Sequence, residues 1–220
     1  MIVLKPAAVL WDMDGTLIDS EEFHWLAWRD TMAGQGVQLT HDQFLATFGL
    51  RNDSIIPQWL GDKANAQAIV RVGDAKELTY RGLVQTHGMS ALPGVERWVR
   101  RLHADGWLQA VASSAPRANV ETVLAVIHLG DCFEAIVSAE DVRHGKPDPE
   151  VFLTAASRLG VPPDRCIVVE DAAAGVEAAR RAGMHSIGVA RGGKKLDGDV
   201  GVSSLEELAA DSLLQLLGEG

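Results

Sequence analysis

An apolar run that ends abruptly in acid constrains this chain more than any other stretch. Ala7-Ala8-Val9-Leu10-Trp11 leads directly into Asp12-Met13-Asp14-Gly15-Thr16. A short apolar run bounded by turn residues reads as a strand buried on both faces, and such strands belong to parallel sheets covered by helices. In open sheets of that kind the chemistry sits just beyond the carboxyl ends of the strands. Asp12 then stands at a strand end, and Gly15 lets the chain turn sharply away. Two carboxylates so close together repel each other and call for a cation. A hard divalent ion that takes oxygen ligands, such as Mg2+, suits them. A calcium-loop reading fails, because it needs a ligand at every second position and a glycine at the sixth, where Leu17 stands.

The first strand needs a sheet, and the next stretch does not offer one. Ser20 is placed to cap a helix over about 20–35, with Glu21 and Glu22 favourable in its first turn. Helical patterns follow near 41–47, 53–60 and 64–87, with no convincing strand between them. After the Leu92-Pro93-Gly94 turn the pattern changes. Helices near 95–105, 117–128, 148–159, 172–182 and 204–217 alternate with apolar runs at 107–112, 135–138, 166–169 and 186–190. Such alternation predicts right-handed βαβ units and a parallel sheet covered on both faces. The expected fold is α/β: a Rossmann-like parallel sheet core, discontinuous in sequence (1–17 with 90–220), and an α-helical cap domain inserted at 18–89. Gly192-Gly193-Lys194-Lys195 lacks the pattern of a phosphate-cradling loop and reads as surface loop.

Charge excludes several functions. A formal net charge of −10 over 220 residues argues against a nucleic-acid or acidic-membrane surface. An anionic small substrate remains compatible, since a metal and a few cations act locally. No apolar stretch is long enough to span a membrane, and the N-terminus has no signal-peptide pattern. Cys132 and Cys166 read as buried thiols, and no Cys/His spacing suits a metal. The expectation is a cytoplasmic monomer without nucleic-acid or membrane partners.

Three more strand ends or loops carry chemistry-bearing residues. The run at 107–112 ends in Ser113-Ser114-Ala115-Pro116-Arg117, Lys146 lies in Gly145-Lys146-Pro147-Asp148-Pro149, and the run at 166–169 ends in Glu170-Asp171. Singly, Ser113 could be a helix cap, Lys146 a solvated lysine and Asp171 an N-cap. Jointly with Asp12-Met13-Asp14-Gly15-Thr16 they resemble, in order, the four motifs of the haloacid dehalogenase (HAD) superfamily of phosphoryl-transfer enzymes. The resemblance covers essentially the whole chain and implies the HAD fold, with the first strand between the Ser113 strand and the Glu170 strand.

That resemblance implies roles. Asp12 is the nucleophile that forms an aspartyl-phosphate. Asp14 protonates the leaving oxygen, then deprotonates the water of the second step. Magnesium is held by Asp12, the Asp14 backbone carbonyl and Asp171, with Glu170 close or water-linked. Ser113 and Lys146 bind the transferring phosphoryl oxygens, with Thr16 and Ser114 as further substrate-binding candidates. An acid at Asp14 favours a phosphate ester over a halide or phosphonate.

A helical cap inserted directly after the first motif resembles the β-phosphoglucomutase-like subgroup, which holds both mutases and small-metabolite phosphatases. His24 and Lys76 match cap positions where β-phosphoglucomutases carry a histidine and a lysine beside the acid/base aspartate, and Arg51 lies near their distal-phosphate arginine. On their own, Lys76 and Arg51 read as surface cations and His24 as a packing residue. Pro116-Arg117 stands where those mutases carry a serine and a lysine, leaving Arg117 as a candidate distal cation. The substrate expected is a small phosphorylated metabolite, a sugar phosphate by preference, hydrolysed by a Mg2+-dependent phosphomonoesterase; the alternative is a sugar phosphomutase. A signalling receiver domain would carry its acceptor aspartate after an acidic pair on the first strand, and a non-catalytic module would have lost one of the four acids.

Overall fold

The computed structural model describes residues 6–190 and 196–218. The loop reading of 192–195 therefore lies outside the described residues. Six strands form one parallel sheet in the order β3-β2-β1-β4-β5-β6. They are β1 (Ala8–Trp11), β2 (Leu108–Ala112), β3 (Ala135–Val137), β4 (Cys166–Glu170), β5 (His185–Val189) and β6 (Val200–Val202). β1 pairs with β2 through Trp11 and Val111 and with β4 through Trp11 and Val169, which puts it at the centre of the sheet as expected.

The two faces of β1 build two different cores. Val9 and Trp11 point into a cluster with Val99 and Leu102 of α5 (Val95–Ala104) and Val120, Val123 and Leu124 of α6 (Arg117–Val126). Ala8 and Leu10 point the other way, against Phe152 and Ala155 of α7 (Glu150–Leu159) and Ala178 and Ala179 of α8 (Ala173–Arg181). The alternation of side chains along a strand thus converts one uniformly apolar run into the centre of a three-layer sandwich.

Between β1 and α5 the chain is helical: α1 (Glu21–Ala33), α2 (His41–Leu45), α3 (Asn52–Leu60) and α4 (Ala66–His87). Trp28, Met32, Phe44, Ile55, Ile56 and Val72 form a third apolar cluster within this insertion. The lower parts of α1 and α4 instead share the first core, through Ala27, Tyr80 and Val84. The insertion enters and leaves at one place: the Leu92 N–H donates to the Leu17 carbonyl at 2.9 Å, and Ile18 pairs with Ala91 as an antiparallel bridge.

Two expectations fail at the C-terminal end. The helix expected over 204–217 is a 3-10 turn, Leu205–Glu207, followed by a short helix, α9 (Ser212–Leu216). The Leu205 carbonyl accepts from Trp98 Nε1 at 2.9 Å and from Arg97 Nη2 at 3.2 Å. Trp98 and Arg97 thereby supply from α5 the partner that a continuing helix turn would have offered. β6 was not expected, because Val200-Gly201-Val202 is too short to show a pattern and is specified by pairing with β5.

Candidate active site

Strand order brings the acids together. The Asp12 N–H still donates to the Val169 carbonyl at 3.0 Å, so the ladder between β1 and β4 carries Asp12 to the sheet's end beside Glu170. Lys146, from the segment between β3 and α7, lies across the top of three strands. Its Nζ donates to Asp12 Oδ1 at 2.5 Å, to Glu170 Oε1 at 2.6 Å and to the Ala112 carbonyl at 3.1 Å. The turn after β1 is built around a close approach: Gly15 has φ +89°, and a Cβ there would run into the Asp171 carboxylate. Likewise, a Cβ on Gly175 in the first turn of α8 would occupy the place of the Glu170 carboxylate.

Ligand oxygens of Asp12, Glu170 and Asp171 lie within 4.8 Å of one another. Burial pushes the Asp12 carboxyl well above the usual carboxylate range; Lys146 opposes this, while Glu170 and Asp171 add to it. Burial also works against the Lys146 ammonium, but Asp12 and Glu170 outweigh it and hold that group above the ordinary lysine value. Three carboxylates thus gather around one ammonium at a buried sheet end. This oxygen-only donor set fits a hard divalent cation such as Mg2+.

A second cluster surrounds Asp14. Ser20 Oγ donates to Asp14 Oδ1 at 2.5 Å, and His24 Nε2 lies 3.3 Å from the same oxygen. His24 Nδ1 lies 2.8 Å from Lys76 Nζ, which also donates to Glu77 Oε1 at 2.9 Å. The His24 ring stacks on Tyr80 with centroids 4.0 Å apart, and Lys76 Nζ stands 5.1 Å above the Trp28 ring. A lysine ammonium has no acceptor, so its short contact with Nδ1 makes Nδ1 the acceptor and leaves the ring proton on Nε2, facing Asp14. Burial works to raise the Asp14 carboxyl, but the hydrogen bond and charge of His24, then Ser20 and Lys76, hold it below its ordinary value. Burial, reinforced by the Lys76 charge, holds His24 below its ordinary value. Burial likewise lowers Lys76 against the pull of Glu77.

Both clusters open onto one crevice of about 660 Å³ between the sheet end and the helical insertion. Asp12, Asp14, Ser113, Ser114, Lys146, Glu170 and Asp171 line it from the sheet side; His24, Arg51 and Lys76 line it from the insertion. Ser113 Oγ accepts from the Ala115 N–H at 3.0 Å, a local turn rather than a helix cap, and its own proton is left to donate. Arg51 Nη1 donates to the Ala139 carbonyl at 3.3 Å and Nη2 lies 3.4 Å from Asp53 Oδ2. The surface reading of Lys76 is corrected: it is 3% exposed, because Glu77, Trp28 and Tyr80 enclose it.

Two expected ligands are not brought to the crevice. Arg117 is turned away: its Nη2 donates to Asp141 Oδ2 at 2.7 Å and to the Ile136 carbonyl at 3.1 Å, so it braces the β3 side of the sheet instead of reaching a distal phosphate. Thr16 is buried in the turn that folds back on Met13, and it does not line the crevice.

Three polar residues at the site were not read from the sequence as site residues. Ser20 was expected to cap α1; it occupies the N-cap position, but its hydroxyl bonds Asp14 and makes no cap bond. Glu77 and Asn119 are buried polar residues on α4 and α6, joined by a 2.5 Å bond from Asn119 Nδ2 to Glu77 Oε2. The available signal was weak: Glu77 directly follows Lys76, and adjacent positions on a helix do not face the same way.

Known proteins resemble this chain over most of its length. The family model described as "Haloacid dehalogenase-like hydrolase" matches residues 9–189. Hexitol phosphatase B of Escherichia coli (strain K12) is 36% identical over 217 residues, covering 94% of this chain and 96% of that protein. Fructose-1-phosphate phosphatase YqaB of the same strain is 34% identical over 193 residues, covering 83% of this chain and 96% of its own length. Among solved structures, a β-phosphoglucomutase from Clostridium difficile superposes with a TM-score of 0.86 at 25% identity, over 97% of this chain and 98% of that one.

Proposed function

The chain belongs to the haloacid dehalogenase-like hydrolases, and from that premise we propose that it is a Mg2+-dependent phosphomonoesterase for a small phosphorylated sugar or related polyol, working through an aspartyl-phosphate at Asp12. In this reading residues 1–17 and 90–220 are the catalytic core and 18–89 the cap that selects the substrate.

Asp12, Asp171 and the Asp14 backbone carbonyl would hold the metal, with Glu170 close or water-linked. Magnesium supplies positive charge that lets an anionic nucleophile approach an anionic phosphoryl group. Asp12 attacks phosphorus while the bond to the ester oxygen breaks, and Asp14 gives that oxygen its proton. Lys146 and the free proton of Ser113 hold the phosphoryl oxygens. Water then attacks phosphorus, Asp14 takes the water's proton, and the bond to Asp12 breaks to release phosphate.

The observation that carries phosphatase over mutase is the state of the crevice cations. A mutase must hold a second dianion away from the metal, which takes several free cations, each worth about 1.5–3 kcal/mol as a charged hydrogen bond. Besides Lys146, the lysines and arginines lining the crevice are Arg51, Lys76 and Arg81 among the described residues. Arg51 is engaged by Asp53 and the Ala139 carbonyl, Lys76 by Glu77, and Arg81 by Asn119. Two phosphatase relatives above 30% identity support the same choice. A mutase reading draws on the gathering of His24 and Lys76 at Asp14 and on the mutase neighbour.

The test is to supply hexitol and hexose phosphates with Mg2+ and follow inorganic phosphate. In parallel, β-glucose 1-phosphate with catalytic β-glucose 1,6-bisphosphate is followed by phosphorus NMR. Release of phosphate is expected. Stoichiometric glucose 6-phosphate with little free phosphate would overturn the reading.

A further inference from the structure

We propose that Glu77 is a positioning residue that makes closure of the helical insertion and alignment of Asp14 a single event. The inference rests on the reading above, in which Asp14 handles the leaving-group proton.

Glu77 is 5% exposed and uses both carboxylate oxygens. Oε1 accepts from Lys76 Nζ at 2.9 Å and from Asn52 Nδ2 of α3 at 2.7 Å; Oε2 accepts from Asn119 Nδ2 at 2.5 Å. Asn119 is fully buried on α6, which belongs to the sheet side, and its Oδ1 accepts from Arg81 Nη1 at 2.9 Å. One carboxylate therefore joins α3 and α4 of the insertion to a helix on the other side of the crevice. A buried carboxylate stays only where its partners are complete. Opening the crevice at α4 and α6 would strip Oε2 of its donor and expose the pair to water, so these bonds favour the closed form.

The same carboxylate acts towards Asp14 through two contacts. It fixes the position of the Lys76 ammonium, which caps His24 Nδ1 at 2.8 Å and so keeps the ring proton on Nε2, facing Asp14 at 3.3 Å. Stacking on Tyr80 sets the plane of the ring but not which nitrogen carries the proton. Without Glu77 the ammonium loses the carboxylate that pairs with it, and the His24 ring is released to its other tautomer. The charged or titratable groups facing this array are Asp14 after β1, His24 on α1, and Lys76, Tyr80 and Arg81 on α4, with Asn52 and Asn119 as the neutral partners.

The experiment compares Glu77→Gln, Glu77→Asp, Asn119→Ala and Asp14→Asn on an alkyl and an aryl phosphate in the Mg2+-loaded enzyme. Two-bond proton–nitrogen spectra of the imidazoles run alongside, with the His24 signal assigned by its loss in His24→Gln. Glu77→Gln should lower kcat for the alkyl phosphate about tenfold to a hundredfold, the aryl phosphate several-fold less, and mix the His24 tautomers. Glu77→Asp should recover part of the alkyl rate. Asn119→Ala keeps the Lys76–Glu77 pair; it should raise KM for both substrates and leave the tautomer intact. If Glu77→Gln does not fold, Asn119→Ala and Glu77→Asp still decide the matter: unchanged KM in the first and unchanged alkyl-to-aryl ratio in the second overturn the proposal. A single Nε2–H tautomer in Glu77→Gln also overturns it. Equal losses on both esters in Asp14→Asn would instead remove the proton-transfer role of Asp14, and the spectra would still judge Glu77.

Discussion

Lys146→Met tests whether one ammonium supports the carboxylates at the sheet end. The wild-type Nζ is held by Asp12 at 2.5 Å and Glu170 at 2.6 Å, with side-chain exposures of 8% for Lys146, 10% for Asp12 and 2% for Glu170. Solvent screening is therefore slight, and removing one partner from a buried charge group costs about 3–5 kcal/mol. Methionine replaces most of the lysine stem, so little of the loss is cavity, although the ammonium's contact over the Phe152 ring at 4.9 Å goes with the charge. Proton uptake by Asp12 relieves part of the repulsion, which places the expected loss near the lower figure. For a chain of this size about 3 kcal/mol lowers Tm by roughly 6–12 °C. The assay is urea or thermal unfolding in EDTA, repeated in millimolar Mg2+. Magnesium should return more stability to Lys146→Met than to wild type, because the same carboxylates receive either cation. A loss below about 1 kcal/mol, or equal magnesium gains in the two proteins, would refute the reasoning.

Three other outcomes are expected. Asp12→Asn and Asp171→Asn should fold yet lose several orders of magnitude in kcat, and an Asp12→Asn enzyme retaining a tenth of its activity would end the covalent mechanism. Asp14→Asn should damage turnover of an alkyl or sugar phosphate more than of an aryl phosphate, whose leaving group departs as a stable anion; equal kcat/KM losses would contradict the role. Because burial and Lys76 hold folded His24 below its ordinary 6.5, the unfolded chain takes up a proton that the native state resists. Its contribution is thus complete above about pH 6.5 and is lost as pH falls below it, by up to about 1.4 kcal/mol per pH unit, until the folded value is passed. His24→Gln should flatten that part of the stability–pH curve, and parallel curves would show that His24 does not contribute.

What the sequence disclosed and what it concealed divide along one physical line. Asp12, Ser113, Lys146, Glu170 and Asp171 sit at strand ends or in one rigid turn, and although several have a bland reading singly, their joint order along the chain does not. Those positions can be read locally, and so can the sheet that gathers them. Ser20, Glu77 and Asn119 look like ordinary cap or surface residues in sequence, because their partners lie on other helices. Lys76 misleads for the same reason: a lysine reads as exposed until Trp28, Tyr80 and Glu77 are seen around it. Arg117 misleads in the opposite sense, since position after a motif suggests a ligand while Asp141 takes the guanidinium. The broken helix after Ser204 depends on Trp98 and Arg97, which lie more than a hundred residues earlier.

The bond between Leu17 and Leu92, with the Ile18–Ala91 bridge beside it, gives the chain a graft point. Everything between them leaves and re-enters the sheet side through neighbouring residues, so β1 keeps its register whatever the length of the excursion. Loop-closure entropy rises only slowly with length, by about 0.6 kcal/mol per doubling. A helical body of another size could therefore be spliced at these two residues without disturbing the Asp12, Lys146 and Glu170 cluster, provided it again brings a histidine and a lysine to Asp14. The rest of the insertion's lining would then be free to vary, while the few contacts that reach Asp14 tie graft to stock.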